Sequence, residues 1–251
     1  MPRLSTHANF CRRSAQAIFA GFVMNGLLGA YTFAQTGADV TIHIMVSAAN
    51  GKPLAPSASA PVVVWLSRIG VNGETDLKAK PGIGRSFQMV QKDKTFVPHL
   101  LVVPTGSLVA FPNRDPFFHN VFSLFNGRRF DLGLYQTGAT RSVPLNREGV
   151  SYIFCNIHPE MGAVIVSIAT PYFAVSAHNS VQVHQVPPGD YLLKVWAEDA
   201  SAASLEKASR PVKVGKVNND AGAVNIMLQP RQPHPDKYNS AYSQHPEASP
   251  Y

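Results

Sequence analysis

Hydrophobic and polar residues alternate along much of this chain with the two-residue period of a β-strand. The clearest stretch begins at Ala38, where aliphatic residues fall on one face and Thr41, His43 and Met45 fall on the other, as in a strand with one buried face. We expect His43 to face solvent there. Helical periodicity is limited to residues 202–207, so the chain is predicted to be all-β. Further short apolar runs, bounded by Gly, Pro and Asn, occur at residues 61–69, 87–90, 100–103, 108–111, 117–122, 150–155, 163–168, 172–175, 181–183, 192–196, 212–214 and 224–228.

Polar segments separate these runs. Residues 72–84 and 128–142 are rich in glycine and polar side chains, and we predict loops there. Residues 231–251 contain many Pro, His, Ser and Tyr residues and few aliphatic ones. Such a segment cannot bury enough apolar surface to fold, so a disordered tail is expected.

The first 34 residues are predicted to be a signal peptide. Arg3, Arg12 and Arg13 precede an uncharged, mostly apolar run that ends in small residues before Gln35. An uncleaved membrane anchor is the alternative, although glycines and polar residues make the run a poor spanning helix. We therefore expect a periplasmic or secreted protein with no membrane span after cleavage.

Charge and cysteine content change when this leader is removed. The formal net charge falls from +7 to +4, and no Lys/Arg-rich tract indicates a nucleic-acid partner. Cys11 is lost, which leaves Cys155 as the single cysteine of the mature chain. A single cysteine forms no internal disulfide, so it is either a reactive thiol or a metal thiolate. In an oxidising compartment the metal thiolate is the more durable of the two.

Four residues offer donor atoms for a metal. Cys155, His158 and Met161 follow one another at intervals of three, directly before an apolar run, and His119 ends an earlier one. A thiolate, two imidazoles and a weak thioether select copper over zinc or calcium. The spacing predicts His119, Cys155 and His158 in a trigonal plane with Met161 as a long axial ligand. Taken singly, each is more often an ordinary core or surface residue, and His99 competes with His119 for the upstream position.

Residues 86–168 resemble a cupredoxin, closest to amicyanin and to plastocyanin-like proteins associated with methylamine utilisation. The similarity lies in Cys155-x-x-His158-Pro159-x-Met161 and in the upstream pair His119-Asn120. It implies a Greek-key β-sandwich over residues 84–169 with one type 1 copper. It also implies that the Asn120 side chain ties the His119 loop to the Cys155 loop by hydrogen bonds.

The remaining strands resemble a different β-sandwich, the carboxypeptidase-regulatory, prealbumin-like family. The similarity lies in the turn Pro187-Pro188-Gly189-Asp190-Tyr191 before an apolar run, and in an Asn-Gly-Lys-Pro turn near the start of the chain. We therefore predict a discontinuous sandwich made of residues 38–82 and 170–230. The cupredoxin-like part is predicted to be inserted in it or packed beside it.

These expectations combine into an exported blue copper protein that carries single electrons between transient redox partners. It is expected to be a monomer and not an enzyme, because three strong ligands and an axial Met leave no open position for a substrate. Electrons are expected to pass through the loop that carries His158, which we predict to be near the surface. The predicted contact surface consists of Phe117, Phe118, Pro159 and Glu160, with Met161 adding to its apolar part. Two alternatives stay open: a periplasmic copper carrier or storage protein, and a β-sandwich binding module with incidental copper.

Overall fold

The computed structural model describes residues 37–54, 61–70, 72–73, 75, 81–124 and 127–230. The predicted signal peptide and the predicted tail lie outside these residues. None of the helices in the described part is long and apolar enough to cross a membrane. The described residues form one short helix, α1 (Ala202–Ala208), and the following strands: β1 (Ala38–Ala48), β2 (Pro53–Leu54), β3 (Val62–Arg68), β4 (Ser86–Gln88), β5 (Val90–Lys92), β6 (Thr95–Val97), β7 (Leu100–Pro104), β8 (Ser107–Pro112), β9 (His119–Ser123), β10 (Phe130–Tyr135), β11 (Thr140–Leu145), β12 (Gly149–Phe154), β13 (Gly162–Ile168), β14 (Phe173–Ser176), β15 (Ser180–Val186), β16 (Gly189–Ala197), β17 (Arg210–Val214) and β18 (Asn219–Leu228). The all-β prediction is confirmed.

Two sheets combine strands from the two ends of the described chain. Sheet 1 has the order β15-β1-β18, with β2 on the edge of β1, and sheet 2 has the order β14-β3-β16-β17. The alternating residues of β1 that were predicted to be buried face sheet 2 in a common core, and His43 is exposed as expected. Members of this first core include Val40, Ile42, Ile44, Val62, Val64, Leu66, Tyr191, Leu193, Val195, Val224 and Ile226.

Two further sheets come from the middle of the chain. Sheet 3 has the order β10-β9-β12-β13-β7, sheet 4 has the order β11-β8-β4, and β5 and β6 form a separate hairpin. A second core fills the space between sheets 3 and 4 and contains Val103, Val109, Phe111, Val121, Tyr135, Leu145, Ile153, Cys155, Met161 and Ile165. The four predicted donor residues lie at one end of this sandwich, at the start of β9 and in the connection from β12 to β13.

A third core joins the two sandwiches. Residues of sheet 2 (Val63, Trp65 and Trp196) pack against residues of β13 (Val164, Val166 and Ile168). Sheets 1 to 4 therefore stack in order, and β3 and β13 are each buried on both faces. This burial explains why both strands are almost continuously apolar instead of alternating. The domain boundaries predicted above, and the resemblance of sheets 1 and 2 to prealbumin-like sandwiches, stay predictions.

Two ion pairs also connect the sandwiches. His99, just before β7, lies 2.7 Å from Glu198, just after β16 (Nε2 to Oε2). Glu148, just before β12, lies 2.5 Å from Lys194 within β16 (Oε1 to Nζ). The first pair lies at the end of sheet 3 where β13 begins, and the second lies at the opposite end.

One local prediction was wrong. Residues 128–142 were predicted to be a loop, but β10 and the first half of β11 lie in this segment. Both are edge strands with half-exposed faces, and Gly133 and Gly138 adopt positive φ angles of 65° and 77°. Edge strands bury few side chains, so their sequences have a weak hydrophobic pattern. The predicted helical turn at 202–207 is confirmed by α1.

Candidate metal centre

The connection from β12 to β13 forms a tight loop that contains three of the four predicted donor residues. Cys155 follows the last residue of β12, and its side chain is fully buried. The backbone N–H of Cys155 donates to the carbonyl of Met161 (3.3 Å), and the N–H of Met161 donates to the carbonyl of His158 (3.0 Å). These two hydrogen bonds close the loop across its base, so the spacing of three residues brings Cys155 and His158 together.

His119 enters the same site from the neighbouring strand. It is the first residue of β9, which pairs with β12 through Phe122 and Phe154. Its Nδ1 lies 3.7 Å from Cys155 Sγ, and His158 Nδ1 lies 3.6 Å from the same sulfur. Both imidazole rings therefore present the same nitrogen to one thiol. Ligand atoms of all three residues lie within 4.8 Å of one another, and all three residues are buried.

These separations fit a trigonal metal site. For metal–nitrogen and metal–sulfur bonds of about 2.0 and about 2.3 Å, an angle near 120° places the nitrogen and sulfur about 3.7 Å apart. The two observed N···S distances agree with that value. A thiolate with two imidazoles is the donor set that suits copper when a long thioether completes it.

The fourth predicted donor residue, Met161, is buried beside this group of ligands in the core between sheets 3 and 4. It is 1% exposed and belongs to the same core as Cys155. Its burial corrects the prediction that Met161 adds to an exposed apolar surface, because the loop turns this side chain inward.

Asp115 holds His119 and was missed by the sequence analysis. Its Oδ2 lies 2.7 Å from His119 Nε2, and its carboxylate also accepts the backbone N–H groups of Asp93 (2.6 Å) and Lys94 (3.0 Å). A carboxylate can only accept, so Nε2 carries the proton and Nδ1 presents its lone pair toward Cys155. A carboxylate four residues before His119 was the available signal, but the sequence analysis assigned no role to Asp115.

Burial keeps both imidazoles neutral. Desolvation lowers the pKa of His119, and the nearby Asp115 carboxylate only partly opposes this. Desolvation also lowers the pKa of His158 to about 4, with further lowering from His119 and Lys94. Burial raises the pKa of Asp115, but hydrogen bonds from Lys94, His119 and Asp93 outweigh it and leave a net lowering. At neutral pH the site therefore has two neutral imidazoles, which is the form that binds metal, beside an ionised carboxylate.

The thiol is the group that must lose a proton. Burial raises the pKa of Cys155, while the backbone N–H groups of Asn120, Ile157 and His158 pull it in the opposite direction. These N–H groups stabilise a thiolate once a metal has displaced the proton.

The predicted role of Asn120 needs a correction. Its side-chain amide donates to Asp131 Oδ1 in β10 (2.7 Å), and its side-chain oxygen has no hydrogen-bond partner among the described residues. The link from Asn120 to the Cys155 loop is made by its backbone N–H. Because β9 lies between β10 and β12, the side chain of Asn120 braces β9 against β10.

The four predicted contact residues differ in how exposed they are. Pro159, Glu160 and Phe118 are exposed, and Phe117 is half-buried. The Phe117 ring centroid lies 5.2 Å from that of His119 and 5.5 Å from that of His158, so this ring covers both imidazoles. His158 itself is only 8% exposed.

Two other residues lie close to the site or compete for it. Lys94 Nζ lies 5.6 Å from the Phe117 ring centroid, which places a cation at the rim that the sequence analysis did not identify. His99, the competing ligand, instead contacts Gly162 and Glu198 through its two ring nitrogens. The structure thus brings His119 to Cys155 and His158, and His99 points elsewhere.

Comparison with known proteins gives partial structural similarity. No protein-family model and no curated protein matches this chain. A purple cupredoxin from Nitrosopumilus maritimus is 24% identical and covers 32% of this chain and 98% of its own length, with a TM-score of 0.30. Amicyanin from Paracoccus versutus is 14% identical over 37% of this chain and 95% of its own, with a TM-score of 0.30. A copper-containing nitrite reductase from Thermus scotoductus SA-01 is 20% identical and covers 50% of this chain and 28% of its own length, with a TM-score of 0.31. Similarity at this level carries no weight for function, which is inferred below from the side chains.

Proposed function

We propose that this chain is an exported copper protein that carries single electrons and is not itself an enzyme. His119 and His158 would hold the copper through their Nδ1 atoms, Cys155 would hold it through Sγ, and Met161 would add its thioether. The observation that supports this most directly is the pair of Nδ1 atoms 3.6 and 3.7 Å from one buried thiol. A copper ion held by these residues supplies a one-electron couple between +1 and +2.

The surrounding residues favour electron transfer over catalysis on a bound substrate. Asp115 fixes the His119 ring, and two backbone hydrogen bonds fix the Cys155–Met161 loop. A rigid donor set disfavours rearrangement of the ligands between the two oxidation states. The Phe117 ring lies over both imidazoles, which restricts access of a substrate from that side.

The proposed exit for electrons is the loop with His158. Exposed Phe118, Pro159 and Glu160 lie beside it, and half-buried Phe117 contacts the ring. We propose that a redox partner binds there transiently and that the chain works as a monomer in the periplasm or outside the cell.

A visible absorption spectrum of the copper-loaded protein tests this function. We expect an intense thiolate-to-copper band with one copper per chain. Cys155→Ser should abolish the band and leave the fold intact, because serine is nearly isosteric. Met161→Leu should keep the band and change the reduction potential, since the axial ligand tunes it. A colourless wild type that binds zinc tetrahedrally contradicts the proposal, and rapid loss of copper to a weak chelator indicates a copper carrier.

A further inference from the structure

The ion pair between His99 and Glu198 lies next to the ligand loop. His99 Nδ1 lies 3.0 Å from the carbonyl oxygen of Gly162, the residue after Met161, and Nε2 lies 2.7 Å from Glu198 Oε2. The carbonyl of His99 also accepts the N–H of Val164 (2.8 Å). Glu198 follows β16 of sheet 2, so a side chain of one sandwich reaches the ligand loop of the other through a single imidazole.

We propose that Glu198 and His99 form a clamp through which the sandwich of sheets 1 and 2 positions the Met161 end of the ligand loop. The clamp is defined as the Glu198 carboxylate, the His99 ring and the Gly162 carbonyl. It makes His99 and Glu198 positioning residues for the copper site. The effect on copper rests on the function proposed above, but the clamp itself can be tested without copper.

Three consecutive backbone groups support this role. The N–H of Met161 donates to His158, and the carbonyl of Met161 accepts from Cys155. These two bonds lie within the loop. The next carbonyl, that of Gly162, is bound by His99 and through it is connected to sheet 2. The main chain around Met161 is therefore held from inside the loop and from the other sandwich.

The chemistry of the clamp makes it sensitive to charge. A carbonyl oxygen and an ionised carboxylate both only accept hydrogen bonds. With Glu198 ionised, both bonds form at once only when His99 carries a proton on each ring nitrogen. The Glu198 side chain is 15% exposed and that of His99 is 44% exposed, so the carboxylate is partly shielded from water. Removing its charge is expected to weaken the bond to Gly162 as well as the ion pair.

The second ion pair supplies a matched control. Glu148 also joins the sandwiches, through Lys194, and its side chain is 9% exposed. It lies before β12, at the end of sheet 3 away from the ligands, where its other oxygen accepts the N–H of Ala169 (3.2 Å). Glu148→Gln therefore removes the same charge from the same interface without a contact to the ligand loop.

Amide hydrogen exchange in the full-length, copper-free protein tests the clamp. In Glu198→Gln we expect the Met161 amide to exchange about fivefold faster than in wild type. This factor corresponds to a loss of about 1 kcal/mol in the free energy of the local opening that exposes the amide. The amide of Ile165, in the centre of β13, should change much less, because it reports on the whole sheet. Glu148→Gln should leave the ratio of the two rates unchanged. Because glutamine at 198 can still accept one hydrogen bond, His99→Ala is the second variant.

The copper-loaded protein gives an independent readout. Glu198→Gln and His99→Ala should change the ratio of Cu(I) to Cu(II) affinity, and Glu148→Gln should not. If the Met161 amide exchanges at the wild-type rate in both clamp variants, or equally fast in Glu148→Gln, the clamp is wrong even when the protein is blue. If the wild type is not blue but the exchange rates change as expected, the clamp is correct and the copper assignment is wrong.

Discussion

Replacing Asp115 with Asn should disturb the site more than its small change in size suggests. The Asp115 carboxylate accepts three hydrogen bonds: Oδ1 from the N–H of Asp93, and Oδ2 from the N–H of Lys94 and from His119 Nε2. An asparagine must put its NH₂ group in place of one of these oxygens. In either orientation the NH₂ faces a backbone N–H, so two donors oppose each other in a buried place.

The magnitude of the effect follows from these contacts. A buried donor left without an acceptor costs about 1–3 kcal/mol, so we expect the free energy of unfolding of the copper-free protein to fall by about 2 kcal/mol. Mutating the hydrogen-bond partner of a ligating histidine typically lowers metal affinity about 10–100-fold. If the NH₂ group faces His119, the proton moves to Nδ1 and blocks the ligand atom. We therefore expect copper affinity to fall at least tenfold in Asp115→Asn.

Competition with a chromophoric copper chelator measures the affinity, and urea unfolding measures the stability. Asp93→Asn is the matched control, because it removes a nearby charge from an exposed residue whose positive φ of 54° asparagine tolerates. It leaves intact the backbone N–H that contacts Asp115. Wild-type copper affinity in Asp115→Asn, or an equal loss in Asp93→Asn, would refute the idea that Asp115 orients His119.

Two further predictions concern pH and salt. Burial lowers the pKa of His158 to about 4, so below pH 6.5 the unfolded copper-free chain gains a proton that the folded chain does not. The free energy of unfolding should therefore fall by at most about 3 kcal/mol between pH 7 and pH 4. Urea titrations that show the same pH dependence in His158→Gln would contradict this. Glu160 and Lys94 place opposite charges at the rim of the site. With a cationic reductant at low salt, Glu160→Gln should slow electron transfer about threefold, and Lys94→Gln should speed it. The threefold factor is the one expected for two unit charges about 7 Å apart in water. Stopped-flow rates of the variants and the wild type should converge as ionic strength rises, because salt screens these charges. If Glu206→Gln, a control at an exposed residue, changes the rate as much as Glu160→Gln, electrons do not leave through the His158 loop.

The fold was predictable where strands bury one whole face or both. β1 alternates clearly because one of its faces packs on sheet 2, and β13 is almost continuously apolar because it belongs to two cores. The edge strands β10 and β11 were missed because most of their side chains are at least partly exposed. Their stability comes from pairing with β9 and β8, which is a property of the tertiary structure and leaves little trace in the local sequence.

The residues of the candidate site also differ in how far the sequence could predict them. Cys155, His158 and Met161 lie within one short loop, so their spacing alone predicted that they meet. Asp115 had only a weak signal, its place four residues before His119, because its position depends on backbone N–H groups at the tip of the β5–β6 hairpin about twenty residues earlier. Asn120 was assigned from a family resemblance, and its side chain turned to Asp131 because β10, which was not predicted, lies beside it.

The stacking of the four sheets gives a physical reason for the presence of the second sandwich. Sheet 3 carries Val164, Val166 and Ile168 on the face turned away from the candidate metal centre, and Val63, Trp65 and Trp196 of sheet 2 cover them. Without this cover a contiguous apolar patch would face water beside the ligand loop, which soluble proteins avoid. The covering sheet also brings Glu198 to the end of β16, within reach of His99. Covering the back of sheet 3 is therefore one structural role of the second sandwich, whether or not its outer face binds a further partner.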